Sequence, residues 1–209
     1  MSITKALIIV DMQEDFLDRM SDSEDYKTAT AAYKKLMKGI LREVEVAIKN
    51  RLPIVCLQYA NQEDGFDHPA TSWAYHATTY EIRKALKGYS RVYFAWKDED
   101  GGGDEIYDVL HGVEPLLGVD KPSYRGKPNK LRKFITDEHE MIDFTVVGVN
   151  ASACVAATCG ELVDMGHRCR VPADAALNVW DCAFADDLDD CALDFDGVRI
   201  TNMVRGAAA

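Results

Sequence analysis

Three chemically capable residue types stand in this chain where a strand would present them to a ligand: a carboxylate at Asp11, a thiol at Cys154, and an ammonium at Lys97 or Lys121. An open parallel sheet binds ligands beyond the carboxyl ends of its strands, so a polar residue directly after an apolar run carries more weight than the same residue elsewhere. Asp11 ends the run Leu7 to Val10, where partial desolvation would lift a carboxylate toward the range useful for proton transfer. A helix or loop cap accounts for the same residue equally well. Cys154 follows Phe144 to Val147 and the turn Gly148-Val-Asn-Ala-Ser-Ala153, with a helix expected to begin at the cysteine itself. Unpaired N–H groups at a helix N-terminus favour the thiolate, which is the nucleophilic form. The competing reading is a buried small apolar residue, which suits Cys56 and Cys159 better. Lys97 follows the run Arg91 to Trp96 and precedes Asp98-Glu-Asp100, whereas Lys121 follows the weaker run Pro115 to Val119. Most lysines are solvated surface groups, so position alone selects neither.

The elements that must place these residues alternate between short β-rich runs and longer segments of helical period, the pattern of βαβ units. The expected fold is a single α/β domain over residues 1–209, a three-layer α/β/α sandwich around a doubly wound, mostly parallel six-stranded sheet. Strands are expected at Ala6 to Val10, Ile54 to Gln58, Arg91 to Trp96, Phe144 to Gly148, Arg168 to Val171 and Val198 to Ile200, with a weak one at Pro115 to Val119. Helices are expected over about 28–50, with Leu36, Ile40, Leu41, Val44 and Ile48 on one stripe, near 79–86, over 105–110 with Asp104 as cap, and from Cys154 to Met165. The acidic stretch Asp186 to Asp194 reads as an amphipathic helix with a solvated face, and the Gly-Ala-Ala-Ala tail as frayed.

Composition narrows the partners. The formal net charge of -11 disfavours nucleic acid and anionic membrane surfaces, and no apolar run is long enough to cross a bilayer. Six scattered cysteines without a C-x-x-C pair, and no N-terminal signal segment, lead to the expectation of a soluble cytoplasmic protein. The five histidines have no ligand spacing, so neither a metal nor a cofactor is expected.

The run Ala6-Leu-Ile-Ile-Val-Asp-Met-Gln-Glu-Asp-Phe16, the segment Lys121-Pro-Ser-Tyr124, the segment Val146-Val-Gly-Val-Asn-Ala-Ser-Ala-Cys-Val155, and Gly166 through Val171 to Asp174-Ala175 together resemble the isochorismatase-like cysteine hydrolases, from about residue 5 to residue 178. The resemblance leans toward the ureidoacrylate and N-carbamoylsarcosine amidohydrolase branch. It implies an Asp, Lys, Cys triad in which Asp11 takes the Cys154 proton and later passes it to the leaving amine, while a lysine holds both anions. It also implies an oxyanion hole at the backbone N–H groups of Asn150 and Cys154, with a cis bond between Val149 and Asn150. Lys121, 33 residues before the cysteine, is the lysine this branch favours, and Lys97 is its rival. The implied activity is cleavage of an amide or ureido C–N bond in a small molecule through a thioester. Relatives commonly form dimers or tetramers, so a homo-oligomer is expected.

Two departures bear on the transfer. The family usually carries Thr three residues before the cysteine, where this chain has Ala151 followed by Ser152, and nicotinamidases show Asp-x-His after the second strand, where this chain reads Gln58-Tyr-Ala-Asn61. Gln13, Phe16, Tyr59, Trp73 and Tyr124 are candidates to line the pocket, and Asn150 to bond a carboxamide. The alternatives are a catalytically silent binding or scaffold protein on the same fold, and a flavodoxin-like nucleotide binder. No Gly-rich phosphate loop follows the first strand, which weighs against the last.

Overall fold

In the computed structural model, the structure describes residues 4–18, 26–60, 78–120, 130–136, 140–185, 193–194 and 196–201. Its apolar runs become β1 (Lys5–Val10), β2 (Ile54–Tyr59), β3 (Val92–Lys97), β5 (Asp143–Gly148), β6 (Arg168–Pro172) and β7 (Val198–Thr201). These six pair in parallel, and with β4 (Val119–Asp120) the sheet order is β4-β3-β2-β1-β5-β6-β7. The weak strand expected at Pro115 to Val119 is thus only the two residues of β4, lying antiparallel on the β3 edge as a seventh strand.

Alternation along β1 explains the layers. Ala6, Ile8 and Val10 face one core, with Ile106, Val109 and Leu110 of α4 (Gly103–His111) and Cys159 and Leu162 of α5 (Ala156–Asp164). Leu7 and Ile9 face the other core, against Leu36, Ile40 and Val44 of α2 (Tyr26–Lys49). Two shorter helices complete the description, α1 (Glu14–Asp18) and α3 (Tyr80–Ala85). Leu41 and Ile48, expected on the buried stripe of α2, pack at its margin and are only partly buried.

Local chemistry moved two helix starts. The triple glycine does not simply end a loop: α4 begins inside it, with Gly102 as N-cap in place of Asp104. The Glu161 carboxylate of α5 accepts a hydrogen bond from the Gly103 N–H at 2.6 Å, which supplies the capping group from another element. The nucleophile segment does not open as an α-helix at Cys154; it makes a π-helical turn over Ala151–Val155 before α5. The acidic stretch at 186–192 and the C-terminal tail lie outside the described residues.

On the face it covers, α2 is tied to β5 and β6 by charge. The buried Glu43 carboxylate accepts hydrogen bonds from Arg42 at 3.0 Å and Arg170 of β6 at 2.5 Å, while Arg42 also reaches Asp174 at 2.5 Å. Arg170 donates in addition to Thr145 of β5 at 3.0 Å.

One glycine is required where β1 and β5 release the chain. Gly148 has φ 128°, and a Cβ there would lie 2.0 Å from the Val10 carbonyl oxygen. Gly148→Ala therefore faces both a disfavoured backbone region and a backbone clash, and should lower stability by roughly 3 kcal/mol or more, measured by urea unfolding.

Candidate active site

The carboxyl ends of β1, β3 and β5 converge on one buried cluster. Asp11 follows β1 with φ 48°, a left-handed conformation uncommon for a residue with a side chain, and its N–H donates to the Leu57 carbonyl at 3.1 Å. Its carboxylate is fully buried and lies 3.1 Å from the Nζ of Lys97, the last residue of β3. The same ammonium donates to the carbonyl oxygens of Glu99 at 2.8 Å and Asp100 at 3.0 Å, so all three of its protons have acceptors. The glycines make this wrap sterically possible: a Cβ on Gly102 would meet Leu57 at 2.5 Å and the Lys97 stem at 3.1 Å. The Tyr59 ring closes another side, 5.0 Å from Nζ, with Phe16 edge-on to it at 6.1 Å.

Cys154 enters from the turn after β5, 5% exposed. Burial pushes its thiol up to about 12, the Asp11 charge and a hydrogen bond to that carboxylate push the same way, and Lys97 and the Asn150 backbone N–H pull it down. A second carboxylate, the exposed Asp100, has Oδ1 3.9 Å from the sulphur. The expectation that a helix N-terminus would favour the thiolate is therefore outweighed, because desolvation and a neighbouring negative charge dominate. The resting pair is a protonated thiol against an ion-paired carboxylate, which is a stored proton transfer rather than a preformed nucleophile.

The raised thiol has a consequence for stability. The folded protein keeps this proton to about 12, whereas an unfolded chain releases it near the ordinary value of 9.0. The unfolded state thus gains first as pH rises, so stability is intact below about pH 9 and declines between pH 9 and 12. Cys56, buried in β2, adds to the same trend. Cys154→Ala should flatten part of this alkaline decline, read from urea midpoints at pH 8, 9.5 and 10.5.

The nucleophile turn is held by residues the sequence left unremarked. The Val149–Asn150 peptide is cis. Asn150 Oδ1 accepts from the Val179 N–H at 2.9 Å, which fastens the turn. Ser152 donates through both its N–H and its hydroxyl to Asn178 Oδ1, each at 3.0 Å, and the Ala151 N–H donates to the Leu177 carbonyl. Hydrogen bonding that the absent Thr would have put in doubt is supplied by this Leu177 to Val179 strip. Asn178 follows β6 within a few residues, so the strand-end rule that singled out Asp11 could have found it.

Gln13 is fully buried and clamps the end of β2: its Nε2 donates to the Tyr59 carbonyl at 3.2 Å and its Oε1 accepts from the Tyr59 N–H at 2.7 Å. It positions Tyr59, itself a candidate pocket residue. Gln58, standing where a metal-binding Asp would be, accepts from the N–H and hydroxyl of Thr78. Among the described residues, Lys97, the rival to Lys121, is the lysine that lies beside Asp11. Lys121, Tyr124 and Trp73 lie outside the described residues, as do Asp64, Asp67, His68 and His76. Among the described residues no group of His, Cys, Asp or Glu is arranged to hold a metal ion, and no helix is long and apolar enough to cross a membrane.

The family model of the isochorismatase domain matches residues 5–191. The chain belongs to the isochorismatase family of hydrolases. Solved structures agree on the fold. The MAR1 ribonuclease of Caenorhabditis elegans is 15% identical with a TM-score of 0.53, over 86% of this chain and 68% of that one. The nicotinamidase SaPncA of Staphylococcus aureus is 14% identical with a TM-score of 0.51, over 84% and 83%. The N-carbamoylsarcosine amidase of Thermoplasma acidophilum is 17% identical with a TM-score of 0.51, over 83% and 84%. No curated protein sequence matches this isochorismatase-family chain.

Proposed function

We propose that this hydrolase cleaves the C–N bond of a small amide or ureido compound, with Cys154 as nucleophile, Asp11 as proton carrier and Lys97 in the lysine role. The observation that carries this reading is the buried contact of 3.1 Å between Lys97 and Asp11, with the Cys154 thiol near enough for the charge of that carboxylate to hold its proton on. A carboxylate with no counter-charge at this depth would be strongly disfavoured, and a lysine beside it keeps it anionic and able to accept the thiol proton. Two structural neighbours named as amidases, a nicotinamidase and an N-carbamoylsarcosine amidase, support the bond type.

In the first half-reaction the S–H proton moves to Asp11 as sulphur attacks the carbonyl carbon. The backbone N–H groups of Asn150 and Cys154 serve as donors to the resulting oxyanion. Collapse expels the amine, which takes the proton from Asp11 and leaves a thioester. Water then adds, giving its proton to Asp11, and the second collapse returns that proton to sulphur as the acid departs. No step draws on a cofactor. A reducing cytoplasm fits the buried free thiols of Cys56, Cys154, Cys159 and Cys169.

A second reading has its own observation: a thiol held up to about 12 also suits a catalytically silent member of the family. Incubation with a panel of carboxamides and carbamoyl compounds separates the two. Ammonia release together with an acyl adduct on Cys154 by mass spectrometry, both lost in Cys154→Ala, is the expected result. Release that survives Cys154→Ala rejects the thiol mechanism, and a complete absence of adducts across the panel favours the silent reading.

A further inference from the structure

Opposite the catalytic cluster, at the amino-terminal ends of the strands, lies a half-open cavity of about 1070 Å³. Among the described residues, five arginines and a lysine line it against a single carboxylate, Asp143, in a chain whose net charge is -11. We propose that this cavity binds a linear oligophosphate along a stripe of cations that crosses the sheet.

Strand order builds the stripe. Taking the strands in spatial order, Arg91 precedes β3, Arg51 precedes β2, Lys5 opens β1, Arg168 opens β6 and Arg199 lies in β7, with Asp143 of β5 as the one interruption. Five interstrand spacings separate β3 from β7, so the stripe runs about 24 Å. Lys5, Arg51, Arg168 and Arg199 are exposed, and no carboxylate of the described residues forms an ion pair with any of them. Arg170 stands in register with Arg199 but is already engaged by Glu43, so it contributes framework more than free charge.

Like charges are not gathered along one edge for stability, since each repels the next. An extended anion offering one charge per step relieves that repulsion, and guanidinium groups match phosphate oxygens in geometry. The Debye length of about 8 Å at physiological salt keeps the distant acidic surface from cancelling the local field. The aromatic content of the lining chooses among polyanions: among the described residues Phe144 is the one aromatic, and it is 1% exposed. Single-stranded nucleic acid is held by stacking as well as charge, and the described lining offers no platform for a base. A second copy of the chain would bring an identical cationic stripe to any two-fold contact here. The proposal does not depend on the hydrolytic reading.

The test is calorimetric titration of the full chain with inorganic tripolyphosphate, a polyphosphate of about ten units, ATP, and a single-stranded RNA of similar charge, at low and physiological salt. Affinity should rise at least tenfold from tripolyphosphate to the longer polyphosphate and weaken with salt. The Arg168→Glu/Arg199→Glu variant should lose at least 30-fold, while Lys34→Glu/Lys38→Glu on the exposed middle of α2, with the same change in net charge, should lose less than threefold. ATP binding equal to that of tripolyphosphate would make nucleotides a second source of the same chemistry. No binding of the long polyphosphate at low salt, equal losses in both variants, or tighter binding of the RNA would each overturn the proposal. Concentration-dependent assembly abolished by the stripe variant, without polyphosphate binding, would overturn it in favour of a self-interface.

Discussion

Lys97→Met will abolish hydrolysis and also weaken the fold by about 3–5 kcal/mol, because it leaves Asp11 as a buried carboxylate without its counter-charge. Both partners are essentially inaccessible, so water cannot take over the solvation the ammonium provides. The double variant Asp11→Asn/Lys97→Met should regain most of the stability and none of the activity, which distinguishes a buried ion pair from a packing defect. Urea unfolding and ammonia release on the same three proteins give both answers. Lys121→Ala supplies the contrast and should keep activity within about threefold. If Lys121→Ala is the variant that stops turnover while Lys97→Met retains it, the lysine has been assigned to the wrong residue.

Asp11→Asn is expected to move two measurements in opposite directions. Hydrolysis should fall by roughly 10³ to 10⁴, since the group that carries the proton is gone. Alkylation of Cys154 by iodoacetamide at pH 8.5 should become faster, by about tenfold or more, because the nearby negative charge that holds the thiol up is removed while Lys97 remains. Lys97→Met should do the reverse and slow alkylation, as it removes the charge that pulls the thiol down. A variant that is merely misfolded would not yield this crossed pattern. Slower alkylation in Asp11→Asn would mean that the carboxylate is not what keeps the sulphur protonated.

The strands and the order of the site were legible because they are written in short-range pattern. Apolar runs ending at a polar residue mark where a parallel strand stops, and Asp11 and the turn before Cys154 both carry that mark. The burial of Lys97 was not legible for a physical reason: it ends a strand beside β2, but the wrap of Glu99 and Asp100 carbonyls around its ammonium depends on Gly102 passing close to Leu57, a contact between distant residues. The start of α4 escaped for a similar reason, since its cap comes from Glu161, 58 residues away. The burial of Cys154 was not legible because a helix terminus is a local feature, whereas the depth of burial and the approach of Asp11 are products of the whole fold. The cationic stripe, too, is invisible along the chain: its members are scattered from Lys5 to Arg199 and meet through strand order.

The tie among Arg42, Glu43 and Arg170 reaches further than its position suggests. Asp174, which Arg42 holds, sits four residues before Asn178, the residue that fastens Ser152 two places from the sulphur. An acid buried among two guanidinium groups cannot be exchanged singly without stranding charge. Natural variants should therefore change Glu43, Arg42 and Arg170 as a set. A lone replacement at Glu43 should lower folded stability together with turnover, read from urea midpoints and ammonia release on the same protein.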